Sequence, residues 1–193
     1  MTRKKHKKIN QLRIIGGKWR SRKLVFSDSP TLRPTTDQIR ETLFNWLQTD
    51  IANANCLDLF AGSGALGMEA LSRGANQVFF VDNNTKAIEN IALNLKHFDS
   101  THGICQLMSA DHFLQLESPT RYFDIVFVDP PFGIYDLAEW ITKIEISTML
   151  KSGALLYIES DSKVAFSKLN SNWKVSKTKK TGQVFYALLE YSI

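Results

Sequence analysis

Some stretches of this chain hold residue types whose spacing suits chemistry better than packing. One is Phe123–Gly133, FDIVFVDPPFG, where an apolar run ends in Asp129, two prolines and Phe132. A single Gly or Pro suffices to stop a strand, so a carboxylate, a rigid corner and an aromatic ring suggest a further use. An amino group conjugated to a nucleobase is a poor nucleophile because its lone pair is delocalised. Asp129 and the backbone carbonyl of Pro130 can both accept hydrogen bonds from such an NH₂ and aim its lone pair at an electrophile. Proline's locked φ fixes the direction of that carbonyl. Phe132 offers a stacking face for an extruded base, worth about 1–3 kcal/mol. Catalysis of this kind is mostly positioning plus acceptor electrostatics. A base in a duplex or stacked loop has to be flipped out first, at a few kcal/mol. Asp129, Pro130 and Phe132 are therefore the candidate catalytic residues.

A second constellation reads DLFAGSGALG, in which Gly62, Gly64 and Gly67 match G-x-G-x-x-G and Asp82 follows 18 residues after Gly64. Glycines at a strand–helix turn let the backbone approach a ligand at a helix N-terminus. An acid at the end of the next strand accepts hydrogen bonds from ribose hydroxyls, as in dinucleotide sites. Any ligand with an adenosine ribose fits this pattern, so NAD and S-adenosylmethionine must be told apart. A pyrophosphate favours the positive end of a helix. Asp58, four residues before Gly62, opposes a pyrophosphate and suits the cationic amino and sulfonium groups of S-adenosylmethionine. Asp111 is expected at the end of the third strand, where the adenine should fall, with a helix N-cap as its bland alternative. Asn83 is a candidate contact that serves equally well as a turn residue.

These groups need a scaffold that brings strand ends together. From residue 55 to 160 the chain alternates: strands at 55–60, 77–82, 104–111, 123–129 and 153–160, helices at 66–74, 84–97 and 135–149, and a short helix through Phe113 and Leu116. The strands are apolar on both faces, which predicts a mostly parallel sheet covered by helices, an α/β fold. A helix from Asp37 follows a Thr36 N-cap, with Ile39, Leu43, Phe44 and Leu47 on one face. Residues 12–26 predict a hairpin around Gly16-Gly17, and 173–180 with 183–191 a closing antiparallel hairpin. In a doubly wound sheet of this kind the DPPF strand lies beside the first strand, at the switch point where ligands bind.

The 193 residues, 44% hydrophobic and 22% charged, are enough for one domain with a sizeable core. No apolar run approaches the ~20 residues of a membrane helix, no secretory signal is expected, and a cytoplasmic location follows. Cys56 and Cys105 read as core thiols of a reducing compartment. His6, His97, His102 and His112 show no metal-ligand spacing, so no metal site is expected. Charge is unevenly placed. Of 24 Lys/Arg, ten stand in residues 1–23 with no acid, leaving 14 basic against 19 acidic in the remainder. A mildly acidic body with a basic arm suggests a polyanion partner, and Arg13, Lys18, Arg20, Arg22 and Lys23 are the candidate nucleic-acid contacts. A second basic cluster is Lys174, Lys177, Lys179 and Lys180. The expected division is an extension over 1–34 and a catalytic domain over 35–193.

Five stretches, QLRIIGGKWRSRKL, LRPTTDQIRETLFNWL, LDLFAGSGALGMEALSRGA, IVFVDPPF and GQVFYALLEY, together resemble the bacterial small-subunit ribosomal RNA guanine methyltransferase family, RsmD, among class I S-adenosylmethionine-dependent methyltransferases. The resemblance covers nearly the whole chain. It implies methyl transfer from S-adenosylmethionine to the 2-amino group of a guanine, family target guanine 966, in 16S rRNA. It implies the small ribosomal subunit as partner and a Rossmann-like seven-stranded sheet ending in an antiparallel hairpin; the chain is expected to act on that subunit or its assembly intermediate, as a monomer. Carried over, Gly62, Gly64 and Asp82 contact the cofactor, with Asp58 and Asp111 beside them. The Arg33–Thr35 segment and Arg40 border the cleft, Thr35 as a candidate contact. Guanine presents its 2-amino group beside a ring N–H, two donors that one carboxylate can accept, which mildly favours it over adenine. An NAD-dependent oxidoreductase leaves DPPF and the basic arm unused. A DNA adenine methyltransferase usually carries a sizeable target-recognition domain, for which the chain has no room. A non-enzymatic RNA-binding module predicts binding without methyl transfer.

Overall fold

The expected alternation folds as an α/β sheet of seven strands. The computed structural model describes residues 9–27, 36–116, 122–131, 136–161, 166 and 169–192. Thr35, Phe132, the Arg33–Thr35 segment and the expected boundary between residues 34 and 35 lie outside them. An antiparallel pair, β1 (Ile9–Arg13) and β2 (Lys23–Ser27), comes first, followed by α1 (Asp37–Trp46). The sheet then builds through β3 (Asn55–Asp58), α2 (Ala65–Ser72), β4 (Gln77–Asp82), α3 (Thr85–His97), β5 (Gly103–Leu107), α4 (Ala110–Gln115), β6 (Phe123–Val128) and α5 (Leu137–Ile146). β7 (Leu150–Ser160), β8 (Trp173–Thr181) and β9 (Val184–Tyr191) complete it. The strand order is β5-β4-β3-β6-β7-β9-β8. The first five strands in that order run parallel; β9 is antiparallel to both β7 and β8.

From β3 the chain winds outward through β4 and β5, then returns to place β6 on the other flank of β3. That reversal is the switch point. One sheet face carries α1, α2 and α3, with Leu43, Phe44, Met68, Leu71 and Ile91 in its core. The other carries α4 and α5 through Phe113, Leu114, Trp140, Ile141 and Ile144. α1 begins where Thr36 Oγ1 accepts from Ile39 N at 3.4 Å. Its apolar stripe lies on β6 and β9, with the Phe44 and Phe127 rings 6.1 Å apart and those of Trp46 and Tyr186 5.4 Å apart.

All eight residues of α2 are buried, because this helix is covered twice. One side meets the sheet. A Cβ on Gly67 would come within 2.2 Å of the Phe80 ring, so only glycine lets helix and strand sit this close. The other side meets the β1–β2 unit. Here β1 and β2 form the expected antiparallel hairpin, but with a long connection in place of a short turn at Gly16-Gly17. The strands are joined by residues 14–22, with a 3₁₀ turn at Gly17–Trp19. Gly17, at φ +74°, is needed instead for contact with α2, since a Cβ there would fall 1.9 Å from the Ser72 carbonyl oxygen. Ser72 Oγ accepts from Trp19 N (2.9 Å) and donates to Gly16 O (2.6 Å).

Glu69, fully buried in α2, holds the same loop. Its two carboxylate oxygens accept from Ile15 N and Gly16 N, each at 2.8 Å. Arg73 Nε donates to it at 2.8 Å, and Arg40 Nη1 lies 3.7 Å away. Arg40 is itself fully buried, with Nη2 donating to Arg13 O at 2.8 Å and to Asp37 Oδ1 at 2.6 Å. Arg40 thus joins α1, α2 and β1 beneath the hairpin unit. Removing one member of a buried ionic cluster strands the others, at about 3–5 kcal/mol. Glu69→Ala is therefore expected to lower unfolding free energy by about 3–5 kcal/mol in denaturant titration. A loss below about 1 kcal/mol would show that the latch holds nothing.

Candidate active site

The turn after β3 is held from both sides of the switch point. Leu59 N donates to Phe127 O on β6 at 3.1 Å, and Ala61 N to Val81 O on β4 at 2.9 Å. Gly62 follows at φ +52° and Gly64 at φ +75°, the latter as N-cap of α2. Both angles are left-handed values that favour glycine. A Cβ on Gly64 would also press on Ile91 at 2.8 Å. The three glycines therefore divide their work: the first two shape the turn, and the third brings α2 onto the sheet.

Asp82 ends β4. One of its oxygens accepts from Gly62 N and the other from Asn84 N, both at 2.8 Å. The carboxylate braces the turn directly. An ionised carboxylate offers about four acceptor positions, so each oxygen retains capacity for a hydroxyl. Asn83 is exposed beside it. The helix-capping role falls to Asn84, whose side chain accepts from Lys86 N at 2.9 Å.

Asp58, the last residue of β3, is buried under the turn at 2% exposure and accepts from Gly67 N at 3.0 Å. Burial pushes its pKa up to about 7; the Gly67 amide pulls the other way and the nearby Asp82 charge raises it further. A carboxyl so placed is poised to ionise when a cation arrives.

Asp111 sits differently from expectation. β5 stops at Leu107, Ser109 caps α4 by accepting from His112 N at 3.1 Å, and Asp111 lies in the first turn of that helix. It pairs with Lys143 of α5 at 2.7 Å. The strand ends early because the Ser109 side chain offers the backbone a helix start.

On the other flank of β3, Asp58 is level with Phe127 of β6, as it is with Phe80 of β4. Asp82 and Asp129 therefore each stand two residues beyond Asp58, on either side of the β3 turn. Their backbones are separated by two inter-strand spacings, about 10 Å. Asp129 is half-buried, Pro130 buried and Pro131 exposed. Tyr157 of β7 donates to Glu159 Oε1 at 2.7 Å. Its phenol is held protonated well above the usual range by burial, then by the charges of Glu159 and Asp129. The corner is thus backed by a buried Tyr157–Glu159 pair that sequence reading missed. A Tyr and a Glu two apart in the strand YIES were the available signal.

Arg13, Lys18, Arg20, Arg22 and Lys23 are all exposed. Arg22 also has a structural role. It donates to His97 O at 2.9 Å, at the end of α3, and stacks 4.2 Å over Phe98. Lys18 lies 4.6 Å over Trp19.

The sheet order, the glycine turn at the switch point and an acid–proline corner on the adjoining strand define a Rossmann-like fold of the methyltransferase class. Residues 12–190 match the family described as "Conserved hypothetical protein 95". The "Ribosomal RNA small subunit methyltransferase D" of Escherichia coli is 42% identical over 98% of this chain and 95% of its own length. The protein of that name in Haemophilus influenzae is 39% identical over 93% and 94%. A solved structure, "Putative methyltransferase yhhF from Escherichia coli", superposes with a TM-score of 0.85 at 41% identity, covering 95% of this chain and 99% of that one. The chain belongs to this RsmD family.

The raised Asp58 pKa fixes a pH response. The folded state holds this proton more tightly than the unfolded chain, whose aspartate titrates near ~3.9. The stabilisation is complete below that value and is lost as pH rises toward about 7. Asp58→Asn is expected to flatten the fall in melting temperature between about pH 4.5 and 7.5. Identical pH profiles for both proteins would contradict the burial argument.

Proposed function

We propose that this protein is an S-adenosylmethionine-dependent methyltransferase acting on the 2-amino group of a guanine in 16S rRNA. Its target would be the family's guanine 966, within the small ribosomal subunit or an assembly intermediate, in the cytoplasm. The observation that carries the reading is the placement of the Asp129 corner and the braced glycine turn on adjoining strands. It stands in a chain 42% identical to a protein named for small-subunit rRNA methylation.

The residues present suit the cofactor. The left-handed Gly62 and Gly64 open the backbone, Asp82 has acceptor capacity for ribose hydroxyls, and buried Asp58 provides a carboxylate for a cationic group. Asn83 and Asp111 line the outer part of this pocket in the proposal, Asp111 from α4, with Thr35 from the segment before α1. S-adenosylmethionine, when bound, supplies a methyl group activated by its sulfonium.

The chain's own residues then act on the base. Asp129 and the Pro130 carbonyl accept hydrogen bonds from the exocyclic amine and orient its lone pair. Phe132 stacks on the extruded ring. Asp129 receives the amine's proton as its nitrogen becomes alkylated, and the adjacent Tyr157 and Glu159 keep its environment polar. Arg13, Lys18, Arg20, Arg22 and Lys23 face the RNA backbone, as part of a 1–34 extension to a 35–193 catalytic domain that works as a monomer. The runner-up is another RNA or DNA amino-methyltransferase, which shares the corner.

Asp129→Ala is expected to abolish tritiated methyl transfer to 16S rRNA while S-adenosylhomocysteine affinity stays within about threefold. Asp82→Ala should do the reverse in kind, weakening cofactor affinity by roughly ten- to a hundredfold, about 1.5–3 kcal/mol for bonds to a charged acceptor. Calorimetry and the transfer assay read the two effects separately. Wild-type turnover in Asp129→Ala would remove this residue from the mechanism.

A further inference from the structure

The far edge of the sheet carries a basic strand on the same side as the Asp129 corner. Val128 is level with Ile158 on β7, Ile158 with Ala187 on β9, and Ala187 with Thr178 on β8. One residue further, Glu159 is level with Tyr186 and Lys179, and the next rung joins Ser160, Phe185 and Lys180. Lys179 and Lys180 thus stand on the rungs of Asp129 and Pro130. The separation is three inter-strand spacings, about 14 Å. β8 contains four lysines and no acid, and all four are exposed. Three of them, Lys177, Lys179 and Lys180, lie in the half nearest the corner. The body beyond residue 23 is otherwise net acidic.

These lysines are not all extended into solvent without contact. Lys179 Nζ donates to Thr42 Oγ1 of α1 at 3.3 Å, and Lys180 lies 4.5 Å over the Phe185 ring. Beside them is a cavity of about 330 Å³ lined by Ile158, Phe166, Thr178, Lys180, Phe185 and Ala187. It combines aromatic and aliphatic walls with a cationic rim, the composition that suits a stacked base and its phosphate.

Resting on the proposed RNA substrate, we infer that this β8 rim is a second RNA-binding surface, which grips the strand flanking the target nucleotide. Lys177, Lys179 and Lys180 take phosphates, and the adjoining cavity takes a neighbouring base. It acts together with the N-terminal basic residues. Edge lysines also guard against strand pairing, but one lysine suffices for that, and it gives no reason to gather three at the end of the sheet facing the chemistry.

The test uses the full chain with all three lysines replaced by Gln, a second variant with all three replaced by Arg, and a 16S rRNA transcript. Affinity is measured at several salt concentrations, with S-adenosylhomocysteine binding to report folding. Each phosphate contact contributes about 0.7–0.9 to the salt slope, so the Gln variant should flatten it by roughly two units. The Arg variant should keep the wild-type slope, and S-adenosylhomocysteine affinity should stay within about twofold in both. An unchanged slope in the Gln variant, with wild-type protein methylating the RNA, overturns this surface alone and leaves the lysines as edge guards. Equal losses in both variants make the role one of packing and overturn the phosphate contacts. A loss seen only on particles that contain ribosomal proteins assigns the rim to a protein partner, which also overturns the inference. Wild-type protein that neither binds nor methylates the transcript overturns the underlying reading as well.

Discussion

Helix α2 has no face in water, and the rest of the molecule is arranged around that constraint. Its N-terminus is the glycine turn, its sheet side is Gly67 against Phe80, and its outer side is Glu69 and Ser72 beneath the β1–β2 unit. A helix buried all round must satisfy every polar group it carries. Glu69 meets that demand with two backbone amides and an arginine. The candidate cofactor turn and the basic hairpin unit are therefore two ends of one rigid contact. In the proposed reaction, the elements that would hold cofactor and RNA share a single helix as their base.

Three carboxylates near the switch point receive different environments from neighbouring strands. Asp58 is sealed beneath the turn and pushed up to about 7. Asp82, half-buried, spends an oxygen on each of two backbone amides. Asp129 is half-buried beside a buried tyrosine–glutamate pair. In the proposed reaction the same side-chain type would serve as a cation partner, a brace with spare acceptor capacity, and an acceptor for the substrate amine. Burial and local amide donors separate these roles.

The helix–strand alternation was legible because β3, β4 and β6 are short apolar runs closed by an acid, and α1 announced itself through Thr36 and its apolar stripe. The glycine turn and the Asp129 corner were legible for the same local reason. What escaped were relations between distant segments. The Gly16-Gly17 pair reads as a tight turn, yet its glycines are there for α2, 56 residues away along the chain from Gly16 to Ser72. Asp111 reads as a strand end, but Ser109 starts the helix earlier and Lys143 takes the carboxylate. β7 begins at Leu150, with a register shift against β6, where only residues from 153 onward looked like strand. Glu69 carried the one available hint, an acid inside an otherwise apolar helix.

If this site methylates the 2-amino group of a guanine in small-subunit rRNA, the modified nucleoside itself is the decisive observable. Purified protein and S-adenosylmethionine are incubated with 16S rRNA from cells lacking this enzyme, followed by nuclease digestion and mass spectrometry of the nucleosides. One new N2-methylguanosine is expected, in the fragment containing guanine 966. A methyl group on adenine or cytosine, or no modification of RNA by a protein that binds the cofactor, would refute the proposed chemistry.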